Sequence, residues 1–396
     1  MKNSWFLSVF CISIICIANS SEDATTMLRN FVTKRGYPFE TYHANTDDGY
    51  ILELHRIPNG KANNKSKTIA NLKKPVVFIN HGLADSSAAF LFAATNQSLA
   101  YILADNGYDV WLGNHRGNRF SRKHKTLTSY GFKFWNFSFH EVGLYDHPAM
   151  IDFILKNTKQ KRLFNVCHSE GCTELFVMAS LRPEYNNKIK LSVNLSPSVL
   201  YGHSPLILRS IFMFSYLLQE VFGRLGYIKV LDKNFITTLI TRLVCKKGSV
   251  TNYICYIAVS IIHGFDWFKT DGNLLSQYLE IYPAGTSIKE VIHYGFLYFY
   301  PGTFRQFDYG DCRNREIYNS TMPPEYPLKK ATLPVVVFYG ENDNMGAVKD
   351  VQQFSKMIPN VIEGKFLQSF NHLGYFLRAD IKNLVYNRIL ELFAKQ

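Results

Sequence analysis

The chain has 396 residues, of which 47% are hydrophobic and 19% charged, enough apolar material for one large core or for one domain with an insertion. Its formal net charge is +13, but the basic residues are scattered among apolar ones and no nucleic-acid-binding motif accompanies them. We therefore expect a solvated basic surface, suited at most to peripheral contact with anionic lipid surfaces, and no nucleic-acid partner.

The N-terminus predicts a secretory signal peptide over residues 1–20. Lys2 precedes an apolar run over 5–18, and the small residues Ala18 and Ser20 follow before the first acidic side chains. That run is too short for a comfortable transmembrane span, and no later stretch is long and uncharged enough for one. We expect a mature protein that is secreted or delivered to an endomembrane lumen such as the lysosome, where disulfides persist.

Seven cysteines are present, and the two in the signal peptide leave an odd number in the mature chain, so a monomer carries at least one free thiol. Cys245 and Cys255 bracket a short polar loop and are the best disulfide candidates. No cysteine–histidine spacing resembles a zinc site, and we expect neither a metal nor a dissociable cofactor. Four sequons predict N-glycosylation in a secreted protein, at Asn64, Asn96, Asn136 and Asn319. A fifth, at Asn194, lies in an apolar, strand-like run and is expected to be buried and unmodified.

The first half of the chain alternates strand and helix patterns. Two strands, 39–44 and 50–56, are joined by the hairpin signal Asp47-Asp48-Gly49. The later segments are a polar loop at 59–74, an apolar strand at 75–80, a helix at 98–106, a strand at 107–113, a helix at 145–156, a strand ending at 168 and a strand at 190–195. This order predicts an α/β fold with a right-handed, mostly parallel sheet.

The pattern changes over residues 198–324, where aromatic and aliphatic residues are dense and strand alternation stops. We expect a helical insertion above the carboxyl edge of the sheet, where α/β proteins bind ligands. It is a second helical subdomain with its own core, a cap with an apolar inner face and a movable lid, or both. The core then comprises 21–197 and 325–396, and the second part contains a strand at 333–340, a helix at 348–357, a strand over 364–370 and a helix at 381–395.

The sequence Cys167-His168-Ser169-Glu170-Gly171 separates a strand pattern from a helix pattern, the context that a nucleophile elbow requires. The tight turn needs small neighbours around the serine. Gly171 meets that need two residues after Ser169, whereas Cys167 stands where a glycine is usual.

A nucleophilic serine needs a base and a group that orients the base. In an α/β-hydrolase the acid and then the histidine follow the serine along the chain, each in a loop beyond a strand. His372 is the one of the 12 histidines that follows the last strand, and Asp343 stands three residues past the strand at 333–340. The rival acids are Glu341, Asp308 and Asp311.

Two loops that follow strands have alternative interpretations. His81-Gly82-Leu83 is either an ordinary turn or half of an oxyanion hole, in which the backbone N–H of Leu83 is the donor. Arg116 is either structural, bonding carbonyls across the strand ends, or a substrate contact, and we favour the structural role.

Several of these segments together resemble the acid lipase family, which includes gastric and lysosomal acid lipases. The resemblance covers the chain from about residue 37 onward, and its most specific part is WLGNHRGNRFSRKH at 111–124. The other matching segments are HGL at 81–83, HSEG at 168–171, GEND at 340–343 and NH at 371–372.

The resemblance implies an α/β-hydrolase fold with a helical cap and lid, and hydrolysis of triacylglycerols or cholesteryl esters at a lipid–water interface through an acyl-enzyme. It implies Ser169 as nucleophile, His372 as base and Asp343 as orienting acid. It further implies an oxyanion hole formed by the N–H groups of Leu83 and Glu170, and a cap disulfide near Cys245 and Cys255.

Two positions depart from the family pattern G-H-S-Q-G. Cys167 adds a side chain to a crowded turn, and an ionised Glu170 near the developing oxyanion would oppose its charge. Glu170 either points into solvent or a salt bridge, or faces the site and holds a proton in an enzyme that prefers acidic pH. The departures keep two alternatives open, a catalytically weakened lipid-binding or storage protein and a carboxylesterase for small esters.

Overall fold

The computed structural model describes residues 23–61, 74–212, 214–246 and 248–396. The predicted signal peptide, most of the polar segment 59–74 and the sequon at Asn64 lie outside the described residues.

A mixed sheet forms the centre of the protein, and the α/β prediction is confirmed. Its strands are β1 (Glu40–Asn45), β2 (Tyr50–Ile57), β3 (Val76–Asn80), β4 (Asp109–Gly113), β5 (Lys123–His124), β6 (Leu163–His168), β7 (Ile189–Leu195), β10 (Val335–Gly340) and β11 (Val361–Leu367). The spatial order is β1-β2-β4-β3-β6-β7-β10-β11, with the short β5 paired to β2. Pairs from β4 to β11 are parallel, whereas β1, β2 and β5 pair antiparallel.

Apolar side chains on both faces explain why the central strands are parallel and buried. Every residue of β3, β4 and β6 is buried, as expected for strands covered by helices on each side. One core lies on each face of the sheet, and aromatic side chains such as Phe78 and Phe164 belong to opposite ones.

The helices that flank the sheet before the insertion are α1 (Ala24–Thr33), α2 (Leu99–Asp105), α3 (Phe139–Glu141), α4 (His147–Thr158) and α5 (Glu170–Leu181). The helices predicted at 98–106 and 145–156 are confirmed as α2 and α4, within two residues of the predicted bounds. Three more follow the insertion, α13 (Val348–Met357), α14 (Gly374–Leu377) and α15 (Asn387–Ala394). Single π-helical turns, Val142–Asp146 and Lys382–Tyr386, precede α4 and α15, so the predicted helices at 145–156 and 381–395 each include residues of a wider turn at their start.

The segment between β7 and β10 contains most of the remaining helices. These are α6 (Leu206–Phe212), α7 (Ser215–Leu225), α8 (Phe235–Val244), α9 (Asn252–His263), α10 (Gly272–Ile281), α11 (Ile288–Phe299) and α12 (Asp311–Tyr318). The expectation that strands stop here is wrong, because β8 (Lys229–Asp232) and β9 (Ala284–Ser287) form an antiparallel pair. The two strands have only four residues each and lie far apart in the chain, which leaves no local alternation to detect.

One apolar stretch also departs from the expectation about membrane spans. Residues 206–225 form 20 residues of mean hydropathy 1.3, which by length and composition alone is sufficient to cross a membrane. The ring of Tyr216 in α7 packs 4.8 Å from that of Phe296 in α11, so this stretch also contacts the rest of the protein.

Candidate active site

The turn between β6 and α5 holds Ser169 in a strained conformation. Its backbone has φ 54° and ψ −120°, in the region that non-glycine residues rarely adopt. Glycine is required at Gly171, because an added Cβ would lie 2.5 Å from the carbonyl oxygen of His81. The strand, turn and helix therefore form the nucleophile-elbow geometry that the sequence predicts.

Three side chains from three different loops meet at this turn. His372 Nε2 lies 2.7 Å from the Oγ of Ser169, and His372 Nδ1 lies 2.9 Å from Asp343 Oδ1. All three residues are buried, with at most 5% of their surface exposed. The arrangement is that of a nucleophile, a base within hydrogen-bond reach and a carboxylate that fixes the base's tautomer.

Backbone and side-chain donors hold the Asp343 carboxylate in place. The N–H groups of Met345 and Gly346 donate to its Oδ1 at 2.9 and 2.7 Å. The hydroxyl of Ser196 donates to Oδ2 and lies 3.1 Å from His372 Nδ1. Ser196 was missed in the sequence, although a polar residue just beyond the carboxyl end of β7 was a usable signal.

The histidine loop is anchored by main-chain contacts. His372 donates its backbone N–H to the carbonyl of His263, and its own carbonyl lies 2.9 Å from His168 Nε2. Burial, with the neighbouring His372 as a second cause, lowers the pKa of His168 well below its usual range, so its ring stays neutral. His168 thus contacts the loop of the base, away from the reacting oxygen.

The rival acids have other partners. Glu341 accepts the N–H of Ser369, and Asp308 accepts from the side chains of Asn314 and Tyr300. Asp311 is exposed in the first turn of α12. None of these contacts involves His372.

The loop after β3 approaches the serine closely. A Cβ added at Gly82 would lie 3.0 Å from the Cβ of Ser169. The N–H of Leu83 makes no hydrogen bond within the described part of the chain, and Glu170, as the first residue of α5, has no intrahelical acceptor. Both N–H groups are therefore available to a ligand oxygen beside Ser169.

Arg116 is a structural residue, but its partners are carboxylates rather than carbonyls. It is buried and forms 2.6 Å ion pairs with Asp48 and Asp146. The loop after β4 is thereby bound to the β1–β2 hairpin and to the start of α4.

Proteins that are similar to this chain in sequence include lipases. Residues 28–94 match the family described as a partial alpha/beta-hydrolase lipase region, and residues 75–218 match the alpha/beta hydrolase fold. The chain is 37% identical over 383 residues to Lipase 1 of Drosophila melanogaster, covering 95% of this chain and 82% of that protein. It is 35% identical over 378 residues to gastric triacylglycerol lipase of Homo sapiens, covering 95% and 92%.

The chain belongs to the α/β-hydrolase lipase family. Among solved structures, an esterase from Thermogutta terrifontis superposes with a TM-score of 0.51 at 11% identity, covering 90% of this chain and 98% of that one. A likeness at that identity concerns the fold, and it confirms the α/β-hydrolase prediction.

The elbow of this lipase carries a disulfide that the sequence analysis did not anticipate. Cys167 is bonded to Cys172 across Ser169, with Cα atoms 5.1 Å apart. Both cysteines are buried, and the bond joins the end of β6 to the first turn of α5. The side chain at Cys167 thus adds a covalent link to the turn.

The interpretation of Glu170 as a solvent-exposed or salt-bridged residue is wrong. Its side chain is 2% exposed and has no ion-pair partner in the described part of the chain. Burial raises the pKa of Glu170 to about 8, so the carboxyl group is neutral at acidic pH. A neutral carboxyl group would not oppose an oxyanion held by the adjacent N–H.

The remaining cysteines and sequons differ in their exposure. Cys245 and Cys255 form a disulfide with Cα atoms 5.6 Å apart, and Cys312 is an exposed free thiol. The sequon residues Asn96, Asn136 and Asn319 are exposed, whereas Asn194 is fully buried in β7.

Proposed function

We propose that this lipase hydrolyses carboxylic ester bonds of neutral lipids, triacylglycerols or cholesteryl esters, through an acyl-enzyme on Ser169. The observation that supports this most strongly is the buried chain of contacts from Ser169 through His372 to Asp343, at 2.7 and 2.9 Å. The relatives named as gastric triacylglycerol lipases support a neutral-lipid substrate.

In the proposed reaction, Ser169 Oγ attacks the ester carbonyl carbon while His372 Nε2 takes the hydroxyl proton. The N–H groups of Leu83 and Glu170 stabilise the oxyanion of the tetrahedral intermediate. The intermediate collapses as His372 returns the proton to the leaving alcohol, which yields the acyl-enzyme. A water molecule, deprotonated by His372, then attacks the acyl carbon. The bond to Ser169 Oγ breaks as His372 returns the proton to that oxygen, and the fatty acid is released.

We infer that 198–324 is a cap and lid on a core formed by 21–197 and 325–396. Most of the exposed large apolar side chains of the described residues lie in this insertion, including Leu206 at 77%, Val250 at 84% and Trp267 at 73% exposed. An apolar surface of that kind fits contact with a lipid–water interface. A cavity of 550 Å³ beside Asp343 is lined by Phe265 and Trp267 of the insertion.

Ser169 is only 5% exposed, so a bulky ester reaches it after the insertion moves. The aromatic side chains of Phe265 and Trp267, both in the insertion, line the cavity beside Asp343, and we infer that an acyl chain would lie against them. An apolar insertion above the site favours long-chain lipids as substrates over small soluble esters, which need no apolar cap.

We further propose that the protein acts outside the cell or in the lysosomal lumen. The disulfide between Cys245 and Cys255 and the exposed sequons at Asn96, Asn136 and Asn319 support an oxidising, glycosylating route. Retention of the predicted N-terminal signal on the purified native protein would count against it.

The test compares wild type with Ser169→Ala on a long-chain triacylglycerol emulsion, a cholesteryl ester and a short soluble ester, from acidic to mildly alkaline pH. Ser180→Ala is the matched control, because it makes the same substitution at a buried hydroxyl of α5 for which the described residues provide no hydrogen-bond partner. We expect Ser169→Ala to lose fatty-acid release and Ser180→Ala to keep it.

Turnover of only the soluble ester would replace the proposal by a carboxylesterase. Activity in neither the wild type nor Ser180→Ala, with retained lipid binding, would favour a catalytically weakened lipid-binding or storage protein.

A further inference from the structure

Five ionisable side chains gather next to the nucleophile elbow, and the proposed reaction uses none of these side chains. We call this set the His–Glu cluster; its members are His115, His147, Glu170, Glu174 and Glu290. All five are buried, with at most 4% of their surface exposed. They come from the loop after β4, the start of α4, the first two turns of α5 and the start of α11.

Two imidazoles of the cluster converge on one carboxylate oxygen. Glu174 Oε2 lies 3.1 Å from His115 Nδ1 and 3.2 Å from His147 Nε2. One donor atom from each of these three residues lies within 4.8 Å of the other two. In a tetrahedral zinc site with bonds of about 2.0–2.1 Å, ligand atoms stand about 3.4 Å apart, so this spacing is close to that of a coordination shell.

A second group of three shares Glu174 with the first. One carboxylate oxygen from each of Glu170, Glu174 and Glu290 lies within 4.8 Å of the others. Glu170 and Glu174 face the same side of α5 because they are four residues apart on one helix. Glu174 is therefore common to both groups of three, and the carboxylates of Glu170 and Glu290 lie beside it.

In the described part of the chain, few positively charged side chains lie near the carboxylates of the His–Glu cluster. The guanidinium of Arg116, which interacts with Glu174 and Glu290, is already paired with Asp48 and Asp146. In the described part of the chain, the carboxylate oxygens Glu170 Oε1 and Glu174 Oε1 have no hydrogen-bond partner, whereas Glu290 Oε2 accepts from the hydroxyl of Thr286. Buried carboxyl oxygens that have neither a hydrogen-bond donor nor a cation beside them are costly in free energy, which points to a missing positive ligand.

We propose that the His–Glu cluster binds one divalent transition-metal ion, with His115, His147 and Glu174 as ligands and the carboxylates of Glu170 and Glu290 beside it. Two imidazole nitrogens and a carboxylate suit Zn²⁺, whereas Ca²⁺ and Mg²⁺ favour sites made of oxygen ligands. The ligands come from three separate segments, which is why no local spacing in the sequence indicated a metal site.

The proposed ion is structural. It would connect α5, which begins with the oxyanion donor Glu170, to α4 and to the loop after β4. Since it lies outside the Ser169–His372–Asp343 contacts, metal binding and catalysis are separable: Ser169→Ala should bind the ion as the wild type does.

The experiment uses the full-length mature protein purified without chelator, stripped with EDTA and reloaded with Zn²⁺. After gel filtration, metal per chain is measured by mass spectrometry, and thermal unfolding is compared with and without the ion. We expect one Zn²⁺ per chain, a higher midpoint in Zn²⁺ but not in Ca²⁺ or Mg²⁺, and visible absorption bands when Co²⁺ replaces zinc.

Glu174→Gln and His147→Gln should each weaken Zn²⁺ binding by more than about 10-fold. His55→Gln is the matched control, because His55 is a buried histidine 2.7 Å from a buried carboxylate, that of Glu53, outside the cluster. It should keep the metal even if its melting midpoint falls.

A wild type that retains no stoichiometric zinc or cobalt and shows no metal-dependent midpoint would overturn the proposal, whatever the variants do. Zinc retained equally by wild type and by folded Glu174→Gln would overturn it as well, since the ion would then be bound elsewhere.

Discussion

Asp85 should make the stability of this lipase decline as pH rises. It lies two residues beyond Leu83, in the loop proposed as half of the oxyanion hole, and is 2% exposed. Tyr278 of α10 donates its hydroxyl to Asp85 Oδ2 at 2.8 Å, and the N–H of Ser86 donates to Oδ1 at 2.7 Å. The side chain thus connects the loop to the insertion.

Burial raises the pKa of Asp85 from 3.8 to about 7, although Tyr278, Ser86 and Arg119 oppose the shift. The folded protein therefore holds a proton that the unfolded chain releases above about pH 4. The stabilisation is complete below that pH and is lost as pH rises through about 7. A shift of roughly 3 units at 1.36 kcal/mol each corresponds to about 4 kcal/mol.

Asparagine imitates the protonated carboxyl group, since it offers one acceptor oxygen and one donor group but cannot ionise. We expect Asp85→Asn to match wild type near pH 4 and to unfold with a free energy about 4 kcal/mol higher near pH 8. At about 2.1 cal/mol/K per residue, that difference raises the melting midpoint by about 5 °C.

The measurement is a series of thermal and urea unfolding curves of both proteins between pH 4 and 8. Asp47→Asn, at an exposed carboxylate of the β1–β2 turn, controls for the loss of one negative charge. If the difference between Asp85→Asn and wild type stays constant across this range, the inference that burial keeps Asp85 protonated is refuted.

Three further substitutions test the site. Ser196→Ala removes a hydrogen bond to the Asp343 carboxylate, worth about 1.5–3 kcal/mol, and should lower kcat about 10- to 100-fold at unchanged KM. A fall in kcat accompanied by an equal-fold rise in KM would contradict a positioning role. Gly171→Ala places a Cβ 2.5 Å from a backbone oxygen and should abolish ester hydrolysis while circular dichroism still reports a folded protein; full activity would show that the turn tolerates a side chain. In EDTA, wild-type activity should fall above about pH 8 as Glu170 ionises beside the oxyanion, and Glu170→Gln should lack that fall; identical pH–rate profiles would exclude a role for the carboxyl group.

The sheet was largely predictable because its central strands are continuous apolar runs. β3, β4 and β6 are buried along their whole length, and such runs bounded by polar loops predict strands of a parallel sheet. The edge strand β11 was predicted over 364–370 but spans Val361–Leu367, because most of its side chains are exposed and give no apolar run to fix its start.

The position of the candidate site followed from chain order, since an acid and a histidine in loops beyond successive parallel strands reach the same edge as the elbow. What the sequence did not reveal depends on contacts between distant segments. Ser196 reaches Asp343 across 147 residues, and the His–Glu cluster draws on four separate elements. Cys167 and Cys172 are only five residues apart, but their sulfur atoms reach each other only in the folded turn between β6 and α5.

The most direct test of an acyl-enzyme on Ser169 is covalent trapping with a long-chain alkylphosphonate ester, which places its phosphoryl group on an activated serine. Intact mass and peptide mapping should show one adduct per chain, located on Ser169, absent in Ser169→Ala and formed far more slowly in His372→Ala. Lipase activity that persists without an adduct, or with the adduct on another residue, would contradict the account.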